Sequence, residues 1–190
     1  KYPNNAEYQL YLGCTYGIKA RIELANKEWF SVLYSGYKGI SNIRKARIID
    51  DQLYDALLPI GLVDYYSCIS SPTIQWLGAL MGISSDCKDG IKNLELVVEQ
   101  SKYAWIESAN ILTYIFLYFE KDYEKSLEMI SPLVDEFPGH PFFHFLKAES
   151  LGRLGRWEKV KDMRPKLEKF TMEGPFLLRN ECELKLKHLD

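Results

Sequence analysis

The sequence predicts an all-α protein, an α–α superhelix built from helix-turn-helix repeats. Three observations carry that reading. Apolar residues recur at three- and four-residue spacing along nearly the whole chain, as one face of an amphipathic helix requires. No stretch alternates cleanly between apolar and polar over six residues, so strand signals are weak. Similar segments return at an offset of 34 residues. The 190 residues are 47% hydrophobic and 26% charged, the balance of an ordinary globular protein with a sizeable core. Aromatics make up 14%, which suits a fold that must fill gaps between stacked helices.

The expected helices are 6–25, 28–48, 51–69, 87–101, 104–120, 123–136, 141–154, 156–170 and 175–189. The first is apolar on several sides, through Tyr8, Leu10, Tyr11, Leu12, Ile18, Ile22 and Leu24, and so asks for neighbours on more than one side. The second ends in Arg44, Lys45 and Arg47, cations that suit a helix C-terminus. Near 67–85 an insertion carries Ile74, Leu77, Leu80 and Met81 beside Trp76, which reads as a short extra helix near 72–82 laid over the array. Helix 104–120 places Trp105, Ala109, Leu112, Phe116 and Phe119 on one face. Helix 123–136 repeats the pattern with Tyr123, Leu127, Ile130 and Leu133. The two are joined by Glu120-Lys121-Asp122 and must fold back on each other to bury both faces. Pro138-Gly139-His140-Pro141, Gly155-Arg156 and Gly174-Pro175 punctuate the remaining helices. Pro132 and Pro165 each remove an intrahelical hydrogen bond and should bend or loosen their helices.

The repeat is visible directly. Asp122-Tyr123-Glu124-Lys125-Ser126-Leu127 lies 34 residues before Arg156-Trp157-Glu158-Lys159-Val160-Lys161, and Leu133 matches Leu167 at the same offset. Asp86-Cys87-Lys88-Asp89-Gly90-Ile91 lies 36 residues before the first of these. A further copy starts at Glu28-Trp29. Gln9-Leu10-Tyr11-Leu12-Gly13-Cys14-Thr15-Tyr16 resembles the opening of the tetratricopeptide repeat, with Gln9 in place of Trp, and Leu57-Leu58-Pro59-Ile60-Gly61 is a poorer copy. Pro138 and Pro3 fall where that family places its closing proline. Thr113-Tyr114 and Lys147-Ala148 depart from its Leu-Gly pair. The chain thus resembles the tetratricopeptide family along nearly its whole length. Asp64-Tyr65-Tyr66, the insertion and Asp86–Asp89 together resemble a bacterial subgroup of unassigned function, with a distant likeness to a eukaryotic mitochondrial outer-membrane group. The resemblance implies one domain over 1–190, with repeats near 6–49, 51–102, 104–138 and 141–172 and a C-terminal helix at 175–189. The tail-like Lys1-Tyr2-Pro3-Asn4-Asn5 and the apolar first helix lead us to expect a piece of a longer array, or a face that docks on another copy.

Chemistry is sparse. The sequence has no GxSxG, no phosphate-binding loop and no GxGxxG, and we expect no catalytic residue, no cofactor and no metal. His140 and His144 share the four-residue spacing of helical zinc ligands, but Pro141 sits at the helix start and no Glu lies between them. Cys14, Cys68, Cys87 and Cys182 make no short ligand spacing and read as single buried thiols, with a disulfide left open. The net charge of −2 favours neither nucleic acid nor an acidic membrane, and no apolar run is long enough to span a bilayer. Acids outnumber bases over 86–136 and bases outnumber acids over 151–190, an asymmetry that could steer a partner or stack copies head to tail. The sequence does not fix a compartment; the cytoplasm fits, as does the periplasm if a signal peptide has been removed.

The family's working surface is the concave groove lined by the first helix of each repeat. By that register the groove offers Leu58, Leu62 and Tyr65, then Ile111, Ile115 and Tyr118, then Phe142, Phe145, Glu149 and Arg153, with Leu10 and Cys14 at its start. One family subset holds the C-terminal carboxylate of a chaperone tail through Lys and Asn in these places; the mostly apolar residues here argue against that ligand. An apolar groove either binds an apolar or aromatic-rich partner segment or is covered by the chain's own insertion and last helix. The expected role is a protein–protein interaction scaffold for a protein or peptide segment or another copy of the chain. The alternative is a small-ligand binder or enzyme with a pocket between the groove and the helix near 72–82.

Overall fold

The computed structural model describes residues 4–80, 82–173 and 187, and these are all-helical. In chain order the elements are α1 (Ala6–Ala25), α2 (Trp29–Ile49), a 3-10 turn (Tyr54–Ala56), α3 (Leu57–Cys68), α4 (Pro72–Leu80), α5 (Cys87–Gln100), α6 (Trp105–Tyr114) running into a π-helical turn (Ile115–Phe119), α7 (Tyr123–Glu136), α8 (Pro141–Arg153) and α9 (Trp157–Glu173). Among the described residues there is no strand. The expected helix 175–189 and the tail Lys1-Tyr2-Pro3 lie outside the described residues, save for Lys187. The chain forms two compact units, Lys1–Ser108 and Ala109–Asp190, although no linker marks the division, which falls inside α6.

The first unit is built from two helix pairs, each closed by a glycine contact. Asn5 caps α1 by accepting the Tyr8 N–H at 2.7 Å, and Asp86 caps α5 by accepting from Lys88 and Asp89. In the pair α1–α2, Gly13 meets Gly39: a Cβ on Gly13 would stand 2.8 Å from the Gly39 carbonyl oxygen. In the pair α3–α5, a Cβ on Gly90 would stand 2.7 Å from the Tyr65 backbone nitrogen. Only glycine permits backbones this close. Around these crossings Leu10, Ile40, Ile43, Ala46, Ala56, Leu57, Ile60 and Val97 form one buried cluster. Asp55 ties the 3-10 turn to the segment that joins α5 and α6: its carboxylate accepts from the backbone N–H of Ala104 (2.8 Å) and Tyr103 (3.0 Å). Ser108 donates to the Leu94 carbonyl at 2.8 Å, which fastens the start of α6 to α5.

The insertion forms helix α4, and its anchoring departs from the sequence reading. Cys68 and Cys87 are joined in a disulfide with Cα atoms 5.4 Å apart, so neither is a single thiol. They sit at the last residue of α3 and the first of α5, two helices already held side by side by Gly90, and that packing brings the sulfurs together. Cys14 is also not buried but exposed on α1. Its position turns away from the glycine seam that fills the inner face of that helix.

In the second unit α7 packs on the π turn and on α8, and α8 packs on α9. Phe145, Ala148, Leu151, Val160 and Leu167 make its core, with Leu127, Met163 and Phe170 at the margin. Where the first unit uses glycine, this one uses hydroxyls. Ser126 on α7 donates to the Thr113 carbonyl at 3.2 Å and lies 2.9 Å from the Ser150 hydroxyl. The helical assignment of α7 continues through Pro132 and that of α9 through Pro165. Both prolines are exposed, where water can satisfy the carbonyl that each leaves without its intrahelical donor.

Candidate partner-binding surface

The ten groove residues expected from sequence divide between the two units. Leu58, Leu62 and Tyr65 stand on α3 in the first unit. Leu58 and Leu62 are half-buried, and Leu58 packs against the core cluster. Tyr65 is fully buried beneath Gly90 and has no surface to offer. In the second unit Ile115 and Phe145 are likewise core residues, and Ile111 is half-buried. Tyr65, Ile115 and Phe145 therefore belong to packing rather than to a surface a partner could reach. Spacing along the chain does not tell how deep each residue sits.

The remaining four, Tyr118, Phe142, Glu149 and Arg153, form one continuous surface in the second unit. A residue not named from sequence, Tyr114, completes it. Tyr114 and Tyr118 are four apart, and their ring centroids are 5.6 Å apart. Across on α8 the Phe142 ring stacks on Tyr114 at 6.0 Å. The Tyr118 hydroxyl donates to Glu149 Oε2 at 2.7 Å, and Glu149 Oε1 lies 3.8 Å from the Arg153 guanidinium one turn further along α8. The order along the surface is aromatic, aromatic, phenol, carboxylate, guanidinium.

The π turn accounts for where Tyr118 points. In this turn the Glu120 N–H reaches back five residues to the Ile115 carbonyl at 2.9 Å, which widens the helix by one residue. Ile115, Phe116 and Leu117 stay buried while Tyr118 and Phe119 emerge. Partial burial, then the hydrogen bond to the Glu149 carboxylate and its charge, push the Tyr118 phenol well above its ordinary pKa, so it remains a donor throughout the physiological range.

Comparison of the chain with protein-family models, curated proteins and solved structures finds no match. The surface must therefore be read from its own chemistry. It has a polarised end, where Tyr118, Glu149 and Arg153 are linked, and an apolar end. His140 and His144 lie elsewhere in the unit. His144 is buried and its Nε2 sits 2.9 Å from the Pro138 carbonyl, while His140 stacks on Phe143 with centroids 4.0 Å apart. Burial lowers the pKa of both. Among the described residues no group of three or more His, Cys, Asp or Glu could hold a metal ion, and no helix is long and apolar enough to cross a membrane.

A second polar feature lies in the first unit beneath the insertion. Asp64 on α3 is buried, and the Ser84 backbone N–H donates to its carboxylate, yet its Oδ1 has no protein partner. Burial raises its pKa, opposed by the charge of Arg44. Nearby, the hydroxyls of Ser67 and Ser85 are 2.9 Å apart. Nothing in the local sequence Val63-Asp64-Tyr65 distinguishes this aspartate from a solvent-facing one. The backbone group that it does meet, the Ser84 N–H, comes from the insertion rather than from its own helix.

Proposed function

We propose that the chain is a non-enzymatic interaction scaffold of the tetratricopeptide type, its helix pairs forming an α–α superhelix, and that the second unit grips a partner's peptide segment. One observation carries this reading: the partly exposed strip Phe142–Tyr114–Tyr118 ends in a hydrogen-bonded Glu149 and Arg153. Aromatic rings bury large area at small entropic cost, and the fixed carboxylate and guanidinium give direction to a bound segment. The glycine-closed helix pairs and the repeated 34-residue offset support the repeat type. The partner segment places apolar side chains on Tyr114 and Phe142 and a backbone or polar side-chain group at Glu149 and Arg153.

Selection of a random peptide library on the purified protein tests this. Enriched peptides should carry apolar anchors and lose at least tenfold in affinity on Tyr118→Ala or Phe142→Ala, because such anchors dominate small interfaces. Peptides that bind both variants as tightly as the parent would place the binding face elsewhere. A small-ligand reading has one observation in its favour, the buried Asp64 oxygen without a partner beneath the insertion. Thermal stabilisation by a small amine or alcohol that vanishes in Asp64→Asn would support it over the scaffold.

A further inference from the structure

Helix α1 packs on α2 through the face that carries Gly13 and Tyr16. Its opposite face is apolar and uncovered. Tyr11, Ile18 and Ile22 are 63%, 61% and 59% exposed, Thr15 is exposed between them, and Tyr8 lies at one end of the same line. The spacing 8, 11, 15, 18, 22 alternates three and four, the stripe of a two-helix seam. It extends over about four turns. On one flank of the stripe, Glu7, Cys14 and Arg21 follow one another every seven residues, all exposed, with Cys14 midway between the two charges. On the other flank Lys19 is already paired with Glu23 at 3.5 Å.

This pattern is its own complement. Turned end for end about a point midway between Cys14 and Thr15, the stripe superposes Tyr11 on Ile18 and brings Tyr8 to Ile22 and Glu7 to Arg21 within one residue, about 1.5 Å of helix rise, a shift these long side chains span. We propose that this face of α1 docks antiparallel on α1 of a second copy, with Glu7 of each copy against Arg21 of the other and the two Cys14 thiols beside the two-fold axis. Charge complementarity selects this occupant. A self-complementary patch is what a two-fold dimer requires, and the parallel arrangement makes neither ion pair. A single helix per copy is a small interface, so the dimer forms at micromolar concentration. The inference does not rest on the peptide-binding reading, which concerns the other unit, and either can fail without the other.

The test uses the full chain with Cys182→Ser, so that Cys14 is the thiol addressed. Sedimentation from about 1 to about 500 µM should show a reversible monomer–dimer equilibrium. Glu7→Arg and Arg21→Glu should each weaken it about tenfold, since each turns two attractions into two repulsions, and the double swap should restore it. A short bismaleimide should link Cys14 to Cys14 in the parent and in the double swap. It should not do so in Ile18→Asp, whose helicity by circular dichroism shows that the fold survives. A monomer across the whole range, or a double swap no better than either single one, overturns the proposal.

Discussion

Gly90→Ala and Gly36→Ala are the same substitution in the same kind of element, and the structure assigns them opposite signs. In a free helix either change stabilises by about 0.5–1 kcal/mol, because alanine has less backbone freedom to lose and is the better helix former. At Gly36 a new Cβ meets nothing within 4 Å, so that gain should appear in full. At Gly90 the methyl would meet Tyr65 at 2.7 Å from its nitrogen and 2.9 Å from its Cα. These are backbone atoms that no rotamer change can move, so α3 and α5 must separate by roughly 0.7 Å to restore ordinary contact. Overpacking of this kind costs about 1–3 kcal/mol, and the seam it opens also holds Tyr65 and Leu94, both fully buried. After the helix gain is offset, Gly90→Ala should still lose about 1–2 kcal/mol. Urea unfolding followed by circular dichroism, with Cys68–Cys87 kept oxidised throughout, measures both variants. A Gly90→Ala midpoint at or above that of the parent would refute the close crossing of α3 and α5.

Three further outcomes follow from the same structure. Leu133→Ala and Leu167→Ala, both at fully buried positions, should each cost about 2–4 kcal/mol in denaturant unfolding, and unchanged midpoints would show the packing register is wrong. Breaking Cys68–Cys87, by reductant or by Cys68→Ser with Cys87→Ser, reopens a loop with a sequence separation of 19 and should cost about 3 kcal/mol of stability; an unchanged melting temperature would show that the reduced chain keeps the loop closed. Burial lowers the pKa of His140 and His144, so the unfolded chain takes up protons near pH 6.5 while the folded chain resists them. Stability should therefore fall as pH drops from about 6.5 to about 5, and a His144→Gln variant should show a shallower slope over that window. A slope equal to the parent's would exclude His144 as its source.

The helices were legible because their periodicity is a local property: α1, α7 and α8 begin where the caps Asn5 and Asp122 and the proline Pro141 place them. Gly13 and Gly61 were also readable, since a glycine inside an apolar helix signals a close neighbour, and each meets the second helix of its pair. Depth was not readable. Tyr65 and Tyr118 look alike in sequence, yet one is sealed beneath Gly90 and the other is lifted out by a π turn that no residue pattern announces. Tyr114 was passed over because it stands where the family keeps a glycine, although its four-residue distance from Tyr118 was the available signal. The disulfide, the buried Asp64 and the Asp55 clasp on residues 103–104 all depend on contacts between distant segments, which spacing along the chain does not encode.

The position of Cys68–Cys87 decides what happens when the chain is cut. The exposed, non-helical Ser84-Ser85-Asp86 between α4 and α5 is the natural place for a protease to nick the first unit. Such a cut opens a ring instead of severing the molecule, because the sulfur bridge still joins the fragment that carries α3 to the one beginning near α5. The two fragments would run as one band until a thiol is added, and as two thereafter. The insertion can thus be trimmed or replaced while the covalent continuity of α3 and α5 is kept by a bond outside the backbone.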